Sequence, residues 1–298
     1  IEAAESVYNC RVRLAEFFEA KNENAVFSVR KALSEIEIAC DIIAEKLSQG
    51  GRLIYIGAGT SGRLGVLDAT ECPPTFGVPR DMVIGIIAGG EKCMTKAAES
   101  QEDDAKAGER DLCKHNLCNN DVVVGISASG GAAYVVGALE YANKVGATSV
   151  SLTNNFDTPM EKVAKISIVT DTGAEVITGS TRMKSGTAQK LVLNMISTCA
   201  MVKTGKVYEN MMINLKPSNA KLKQRVISIV CEILHCSEED AIAVLEENNW
   251  NIRHNIFVCQ TSGVASHYHL IANALYRHRN YTLSRCLSLY GHASANVP

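Results

Sequence analysis

Five short apolar runs, separated by stretches long enough for a helix, constrain the fold of this chain more than any other feature. They cover residues 52–59, 82–90, 121–130, 147–155 and 165–173, and each ends in glycine or asparagine. Their apolar residues are continuous rather than alternating, which is typical of strands buried on both faces. The alternation of such strands with helices predicts a parallel sheet covered on both sides, an α/β three-layer sandwich.

Apolar residues at helical spacing flank this region. Residues 25–47 carry them every three or four positions, which predicts one long helix before the first strand. Crossover helices are predicted over 94–112 and 134–145, and further helices over 187–203, 220–234, 238–247 and 252–259. We therefore expect an N-terminal helical segment over 1–48, a main domain over 49–236, and a small helical appendage with a tail over 237–298.

Composition and charge argue against several classes of protein. The formal net charge of −2 provides no cationic surface of the kind that binds nucleic acid through its phosphates. The longest apolar run, residues 191–202, is interrupted by polar side chains and is shorter than the roughly 20 residues that a membrane span needs. We expect neither nucleic acid nor a membrane as a partner.

The start of the chain and its cysteines point to the cytoplasm. The first ten residues lack the basic and apolar regions of a secretory signal. The 11 cysteines are scattered and form no C-x-x-C pair, which favours reduced thiols over a disulfide framework.

Loops rich in glycine and hydroxyl groups follow the first and third runs. In a doubly wound sheet, ligands bind where the winding reverses, commonly between the first and third strands. Backbone N–H groups at the start of a helix, together with hydroxyl groups, bind phosphate without a cation. A third segment, residues 179–187, precedes a long helix with the same chemistry and adds Arg182 and Lys184. These loops predict a phosphate-binding site.

The first of these loops also matches G-x-G-x-x-G, beginning at Gly57, which is typical of dinucleotide sites. Such sites usually place an acidic residue about 20 positions further on. The nearest candidate, Glu91, lies 29 positions after Gly62. A nucleotide-dependent oxidoreductase therefore stays as one hypothesis; it requires thermal stabilisation by NAD or NADP, which we do not expect.

Longer segments resemble the N-acetylmuramic acid 6-phosphate etherases, a branch of the sugar isomerase (SIS) domain superfamily. The resemblance spans about residues 25–257 and is carried by 57–77 (GAGTSGRLGVLDATECPPTFG), 87–91 (IAGGE), 99–103 (ESQED) and 179–206. It implies a five-stranded, flavodoxin-like sheet, a homodimer with sites at the subunit interface, and no metal or organic cofactor. The implied reaction cleaves a lactyl ether to N-acetylglucosamine 6-phosphate and D-lactate, in recycling of cell-wall amino sugars.

The resemblance places the general acid of this reaction on Glu71 and the general base on Glu102. From the residues alone, Glu71 precedes Cys72-Pro73-Pro74 and is expected near a helix C-terminus, where the helix dipole disfavours a carboxylate. On a helix over 94–112, Glu102 lies at the edge of the apolar stripe and Asp103 points away from it. Asp104 flanks the stripe on its other side, so the choice of Glu102 depends on the resemblance.

The same resemblance implies which residues contact a sugar phosphate. They are Gly59, Thr60, Ser61, Ser127, Ser129, Gly130, Ser180 and Thr181. Arg63, Arg182 and Lys184 are further candidates. Arg182 and Lys184 either bind the phosphate or the lactyl carboxylate, or pair with acidic residues across a dimer contact.

One departure from the family affects this site. After Gly130 the etherases usually continue with Arg-Thr-Pro, whereas this chain has Gly131-Ala132-Ala133. The loss of a cation and a hydroxyl group keeps open an alternative, a sugar-phosphate-binding regulator of the glucokinase regulatory protein type. Retention of both Glu71 and Glu102 favours the enzyme, because a sensor needs no acid–base pair.

The histidines do not predict a metal site. Six of the seven lie after Lys223, and His267, His269 and His278 have no acidic or cysteine partner at ligand spacing. We expect no metal.

Overall fold

A computed structural model describes residues 14–96, 99–217 and 219–253. Its strands are β1 Leu53–Gly57, β2 Val83–Ile87, β3 Val122–Ile126, β4 Thr148–Thr153 and β5 Ile166–Val169. They pair in parallel in the order β2-β1-β3-β4-β5. This confirms the predicted five-stranded parallel sheet with flavodoxin-like order, in which the winding reverses between β1 and β3.

Ten helices occur in the described residues. They are α1 Leu14–Lys31, α2 Leu33–Ser48, α3 Gly59–Phe76, α4 Lys92–Thr95, α5 Ala105–Lys114, α6 Ala133–Val145, α7 Pro159–Val163, α8 Lys184–Lys203, α9 Ala220–Leu234 and α10 Glu238–Glu247. A short 3₁₀ turn, Glu99–Asp103, lies between α4 and α5. Within these ranges, no helix is long and apolar enough to cross a membrane.

The chain separates into two compact units between Met212 and Ile213, and α9 and α10 both belong to the second. The three-part division of the sequence, with its boundaries at 48 and 236, stays a prediction. The helix predicted over 238–247 is confirmed as α10, and the Oγ of Ser237 caps it by accepting a hydrogen bond from the Asp240 N–H at 3.1 Å. The helix predicted over 252–259 lies largely outside the described residues.

Two apolar layers cover the sheet. Because successive side chains of a strand point to opposite faces, Tyr55 packs with α1, α2, α3 and α8, whereas Ile56 packs with α5, α6 and α7. All five residues of β1 are buried, which explains its continuous apolar run. Each fully buried leucine or isoleucine contributes about 1.5–3 kcal/mol, so the sheet is a rigid base for the loops that follow its strands.

Two of the predicted helices are wrong in extent. The helix over 25–47 is two helices, since the backbone turns at Ala32 between α1 and α2. Residues 94–112 are not one helix either, because the 3₁₀ turn separates α4 from α5. Asp104 starts α5 as its N-cap, with a carboxylate oxygen 3.1 Å from the Ala107 N–H. Periodicity alone did not detect these breaks.

An ion pair joins β1 and β3 at their amino ends. Arg52 contacts both carboxylate oxygens of Asp121, with distances of 3.1 Å from Nε and 2.6 Å from Nη2. The guanidinium also donates to the carbonyl groups of His115 and Asn116, and the Cys118 N–H donates to Asp121. Burial acts to raise the pKa of Asp121, but the hydrogen bonds from Arg52 and Cys118 outweigh it and hold that pKa below its ordinary value.

Candidate active site at the carboxyl edge of the sheet

The loops that follow β1 and β3 lie side by side at the point where the winding of the sheet reverses. Gly57 ends β1 and is paired in register with Ile126, the last residue of β3. The loop after β4 joins them, because the Asn154 N–H donates to the Ala128 carbonyl at 3.0 Å. The predicted binding loops 59–61 and 127–130 are therefore brought together at one edge of the sheet, where doubly wound folds bind ligands.

The first loop is the first turn of α3. Its tight entry requires Gly62, since a Cβ there would lie 2.5 Å from the Gly57 carbonyl oxygen. No side chain in the described part of the chain caps α3, so the N–H groups of its first turn, at Gly59 and Thr60, point toward the edge of the sheet. The hydroxyl group of Ser61 is buried and donates to Gln189 Oε1 at 2.9 Å, so Ser61 has only its backbone N–H to offer a ligand.

The second loop places Ser127 and Ser129 with their Oγ atoms 3.4 Å apart. The N–H of Gly130 donates to Ser127 and that of Gly131 to Ser129, at 3.2 and 3.3 Å. Gly130 has φ +68°, and a Cβ there would lie 2.5 Å from Thr158, so only glycine fits. Ser127 is buried and Ser129 is exposed.

The residues that replace the family's Arg-Thr-Pro lead directly into α6. Ala132 occupies the N-cap position and Ala133 is the first helical residue. A threonine at Ala132 would accept a hydrogen bond from the first turn, whereas alanine leaves those N–H groups without a side-chain cap. Both α3 and α6 therefore begin at this edge with uncapped N–H groups, and a helix N-terminus of this kind favours an anion.

The third predicted loop differs from expectation. Ser180 is half-buried and Thr181 exposed, and the carbonyl of Thr181 and the side chain of Thr60 both lie beside Gly186. However, the N-terminus of α8 is already occupied, since the Glu175 carboxylate accepts hydrogen bonds from the N–H groups of Lys184 and Ser185 at 3.2 and 2.9 Å. The prediction that this helix start offers free N–H groups to a phosphate is wrong, because a carboxylate of the chain itself binds them.

Lys184 takes neither of the two roles that the sequence left open, which were binding an anionic group of the substrate and pairing with an acidic residue across a dimer contact. Its side chain is buried, and its ammonium donates to the carbonyl groups of Thr172 and Ala174 at 2.8 and 2.7 Å. Desolvation lowers the pKa of Lys184, and the neighbouring Glu175 acts in the opposite direction. Lys184 thus holds the segment after β5 in place, while Arg182 is exposed.

Arg63 is also tied to the backbone. Its Nε donates to the carbonyl of Met94 at 3.0 Å and its Nη2 to that of Lys96 at 3.3 Å. It joins α3 to the segment after β2.

Gln189 connects three of the loops and was not identified from the sequence. Its Oε1 accepts from Ser61, and its Nε2 donates to Asn154 Oδ1 at 3.1 Å. The Asn154 amide in turn donates to the carbonyl and hydroxyl oxygens of Thr170, both at 2.8 Å. The signal was present, because Gln189 lies on the same helical stripe as Leu193 and Ile196, and a polar residue on a buried stripe needs a partner.

Glu102 lies in the 3₁₀ turn at this edge and is exposed. The turn packs beside the segment after β2, where a Cβ on Gly89 would lie 2.9 Å from Gln101 Cγ, and against α6. The helical-stripe argument for Glu102 is wrong, because Glu102 is not in an α-helix and Asp104 is an N-cap bound to Arg110. The contact of the adjacent Gln101 with Gly89, which follows β2, places Glu102 near this edge.

Glu71 is not at this edge. It is exposed and lies 12 residues after Gly59 in α3, which corresponds to about 18 Å along the helix axis. The helix does not end at Pro73 as expected; it continues to Phe76 and ends on Gly77, whose φ is +61°. The dipole argument for Glu71 is correspondingly weaker, since the effect is confined to the last turn.

A cavity of about 230 Å³ lies beside Glu71 between α3 and α8. Asp68 lies at this cavity, and its carboxylate accepts hydrogen bonds from Tyr55 Oη, Asn194 Nδ2 and Ser197 Oγ at 3.0, 2.8 and 3.2 Å. Burial raises the pKa of Asp68 against these hydrogen bonds. Asp68 fixes the packing of α3 on α8, and so the position of Glu71 one turn later.

Among the described residues, no group of three or more histidine, cysteine, aspartate or glutamate side chains is placed to hold a metal ion. The histidines that we considered, at 267, 269 and 278, lie outside those residues.

Comparison with known proteins identifies the family of this chain. Residues 102–198 match the SIS domain model, and residues 35–143 match the model of the glucokinase regulatory protein N-terminal SIS domain. A Clostridium botulinum (strain Langeland) protein named N-acetylmuramic acid 6-phosphate etherase is 54% identical over 235 residues, covering 79% of this chain and 78% of that protein. This chain belongs to the N-acetylmuramic acid 6-phosphate etherase family.

Other relatives agree with this assignment. A Vibrio campbellii protein of the same name is 50% identical over 234 residues, or 78% of this chain and 76% of that protein. A crystal structure from Bacteroides fragilis, described as a phosphosugar isomerase involved in capsule formation, superposes with a TM-score of 0.50 at 22% identity. It covers 64% of this chain and 91% of that one, and it supports the fold alone. The resemblance found in the sequence is confirmed.

Proposed function

We propose that this chain is a lyase that cleaves the D-lactyl ether of N-acetylmuramic acid 6-phosphate, giving N-acetylglucosamine 6-phosphate and D-lactate in the recycling of cell-wall amino sugars. One observation carries the proposal. In a chain of this family, Glu102 lies at the same edge of the sheet as two uncapped helix N-termini and the serines of the loop after β3. An anion-binding cradle beside an exposed carboxylate suits a base-catalysed reaction on a sugar phosphate.

The reaction begins as an elimination. In the open-chain sugar, the C2–H bond is adjacent to the C1 aldehyde, so a base can remove this proton. Glu102 accepts it, the C2–H electron pair forms a C2=C3 double bond, and the C3–O bond to lactate breaks. Glu71 protonates the departing lactyl oxygen. Glu71 lies on α3 away from the edge that carries Glu102, so its role as the acid rests on the resemblance to the etherases. A general acid or base positioned at the reacting atom typically contributes 10²–10⁴-fold.

Water then adds to the double bond. Glu71, now a carboxylate, accepts a proton from a water molecule while the water oxygen forms a bond to C3. Glu102 returns a proton to C2. Both carboxyl groups are restored and no oxidant, metal or cofactor enters the balance.

The phosphate is bound by the N–H groups of Gly59, Thr60 and Ser61 and by the loop at Ser127–Gly130, with Ser129 as its exposed hydroxyl group. Ser180 and Thr181 stay part of the proposed contact set, since Thr181 and Thr60 flank Gly186. Lys184 is excluded from it by its buried contacts with backbone carbonyls.

The proposal extends to assembly and location. The enzyme acts as a homodimer, without a resident cofactor, in the cytoplasm. The cysteines that the structure describes are free thiols, which supports a reducing compartment.

The test is incubation with N-acetylmuramic acid 6-phosphate in deuterated water, following D-lactate release and deuterium at C2 by NMR. We expect wild-type protein to release lactate with deuterium at C2. The Glu102→Gln variant should lose at least about 10³-fold in rate, whereas the neighbouring Asp103→Asn variant should keep wild-type activity. Saturable binding of the substrate without lactate release would instead support the regulator, for which the match of residues 35–143 to the glucokinase regulatory protein model is the relevant observation.

A further inference from the structure

The proposed reaction releases lactate, and the lactyl group needs a binding site of its own beside the proposed acid. This group carries a carboxylate, a methyl group and the ether oxygen that leaves C3. A carboxylate that is removed from bulk water needs a cation or several hydrogen-bond donors next to it. Because Glu71 must reach the ether oxygen of the same group, the cation has to lie close to Glu71.

None of the cations that the sequence suggested fits this role. Arg63 and Lys184 already donate to backbone carbonyl groups, and Lys184 is buried. Arg182 precedes α8 and does not line the cavity beside Glu71. Another lysine does line it. Lys190, six residues after the start of α8, is exposed and shares this cavity with Glu71.

The charge of Lys190 is not neutralised by a carboxylate of the described residues. Its ammonium forms no ion pair among them, whereas Lys203 on the same helix pairs with Asp41. The Nζ of Lys190 donates instead to the neutral amide oxygen of Asn194, one helical turn later. An ammonium has three N–H donors, so this contact leaves Lys190 able to bind an anion as well.

A buried network holds this cation in place. The Nδ2 of Asn194 donates to Asp68 Oδ1 at 2.8 Å, which leaves the amide oxygen of Asn194 for Lys190. Asp68 is in turn bound by Tyr55 and Ser197. Burial raises the pKa of Asp68, and the positive charge of Lys190 acts in the opposite direction, so the two side chains attract each other. A side chain that is already held loses less conformational entropy when a ligand binds.

The rest of the cavity matches the rest of the lactyl group. Leu64, Leu67 and Leu193 give it an apolar wall, which suits a methyl group. Glu71 supplies the carboxyl group for the ether oxygen. A cation, an apolar wall and a carboxyl group thus line one cavity of about 230 Å³, and these are the three groups that a lactyl ether requires.

We propose that this cavity receives the lactyl group and that Lys190 binds its carboxylate. Lys190 then distinguishes N-acetylmuramic acid 6-phosphate from sugar phosphates that lack the lactyl group. The inference rests on the proposed function, and it does not depend on which subunit supplies the phosphate-binding loops.

The test compares two sugar phosphates that differ only in the lactyl group, N-acetylmuramic acid 6-phosphate and N-acetylglucosamine 6-phosphate. Calorimetric titrations use the Glu102→Gln protein, so that the first compound is not consumed. We expect the lactyl compound to bind at least about tenfold more tightly. Adding Lys190→Met should raise its Kd by about 10- to 100-fold, whereas the Kd of N-acetylglucosamine 6-phosphate should stay within about twofold.

Two further variants serve as controls. Lys190→Arg keeps the charge and should keep most of the preference for the lactyl compound. Lys203→Met removes an exposed cation from the same helix outside the cavity, and it should change neither Kd. In protein that retains Glu102, Lys190→Met should raise the KM for lactate release with little change in kcat, because the lactyl carboxylate is bound equally in the ground state and the transition state.

An equal loss of affinity for both compounds in Lys190→Met would overturn the inference, since Lys190 would then act on the phosphate that they share. An unchanged preference in this variant, or equal binding of the two compounds by protein that retains Lys190, would overturn it as well. Absence of lactate release from wild-type protein, together with a preference for the lactyl compound that Lys190→Met removes, would contradict the proposed reaction and leave the lactyl site supported.

Discussion

The two edges of the sheet differ in how their polar groups are satisfied. At the amino edge, Arg52 and Asp121 bind each other and the neighbouring backbone, with five hydrogen bonds from Arg52 to protein partners. At the carboxyl edge, α3 and α6 begin without side-chain caps, and Ser129 is exposed. The polar groups of one edge stabilise the fold, and those of the other are available to a ligand.

The carboxyl edge is nevertheless built on a buried frame. Gln189, Asn154 and the pair of Glu175 and Lys184 are all buried and bound to protein groups just beneath the loops. The two edges therefore differ only in their outermost polar groups. Uncapped N–H groups contribute most to binding when the loops that carry them are already held in place, because less conformational entropy is then lost.

Asp121→Ala should produce the largest loss of stability among these variants and no loss of catalytic activity. Removing one partner of a largely buried ion pair leaves Arg52 uncompensated, and we expect the free energy of unfolding to fall by about 3 kcal/mol in urea denaturation. The kcat/KM for lactate release at 25 °C should stay within about twofold of wild type. As a control, Asp41→Ala, which breaks the exposed pair with Lys203, should lower the free energy of unfolding far less than Asp121→Ala does. A loss of activity in folded Asp121→Ala protein would show that the two edges are not independent.

Lowering the pH should reduce the difference in unfolding free energy between wild type and Asp121→Asn. The folded-state pKa of Asp121 lies below its unfolded value of about 3.9, so its stabilisation is present above that value and is lost as the pH falls through the folded-state pKa. Urea titrations at a series of pH values should give a constant difference in unfolding free energy above about pH 5 and a shrinking one below about pH 4. A difference that grows on acidification would contradict the pKa direction.

Gln189→Leu should lower both stability and catalytic activity, because Gln189 belongs to the buried hydrogen-bond network beneath the proposed site. The change leaves the Ser61 hydroxyl without its acceptor and Asn154 Oδ1 without its donor, and we expect a loss of about 2 kcal/mol in stability. The Ser61 loop should also lose its position, lowering kcat/KM by roughly tenfold. Gln224→Leu, which removes only an exposed hydrogen bond to Glu238, serves as the control and should change neither. Unchanged activity in the Gln189 variant would show that the frame does not position the loop.

Gly131→Arg should act in the favourable direction, and on substrate binding alone. It introduces the cation that the resemblance to the etherases implies beside the proposed phosphate. Gly131 is exposed, and a Cβ there would meet only Ser129 Oγ, at 3.9 Å, so the larger side chain fits without strain. A charged hydrogen bond contributes about 1–2 kcal/mol, so KM should fall by about 5- to 30-fold with kcat little changed. The matched Gly131→Gln variant adds a side chain without the charge and should leave KM near the wild-type value. An equal fall in KM for both variants would argue against a phosphate beside Gly131.

How much of this structure can be predicted from the sequence depends on whether the interactions are local or long-range. The strands were predictable because each buries its residues on both faces, and the start of α10 because Ser237 and Asp240 are three residues apart. The break before α5 was missed although Asp104 caps it locally, because an aspartate within a run of acids has no distinct pattern. Long-range partners were not predictable at all. Ser61 and Gln189 are 128 residues apart, and hydroxyl groups in a loop look alike whether they bind protein or ligand.

The sequence by itself determined the parallel sheet, the family, and the two glycine-rich loops at its carboxyl edge, because burial periodicity and steric demands at positions such as Gly62 and Gly130 are local properties. Only the tertiary structure decided that Glu175 occupies the N-terminus of α8 and that Lys184 binds backbone carbonyls. It also placed Glu71 about three turns along α3 from the loops that we propose bind phosphate. The physical reason is that a charged group takes whichever partner the folded chain brings within hydrogen-bond distance, and a residue's type does not specify that partner.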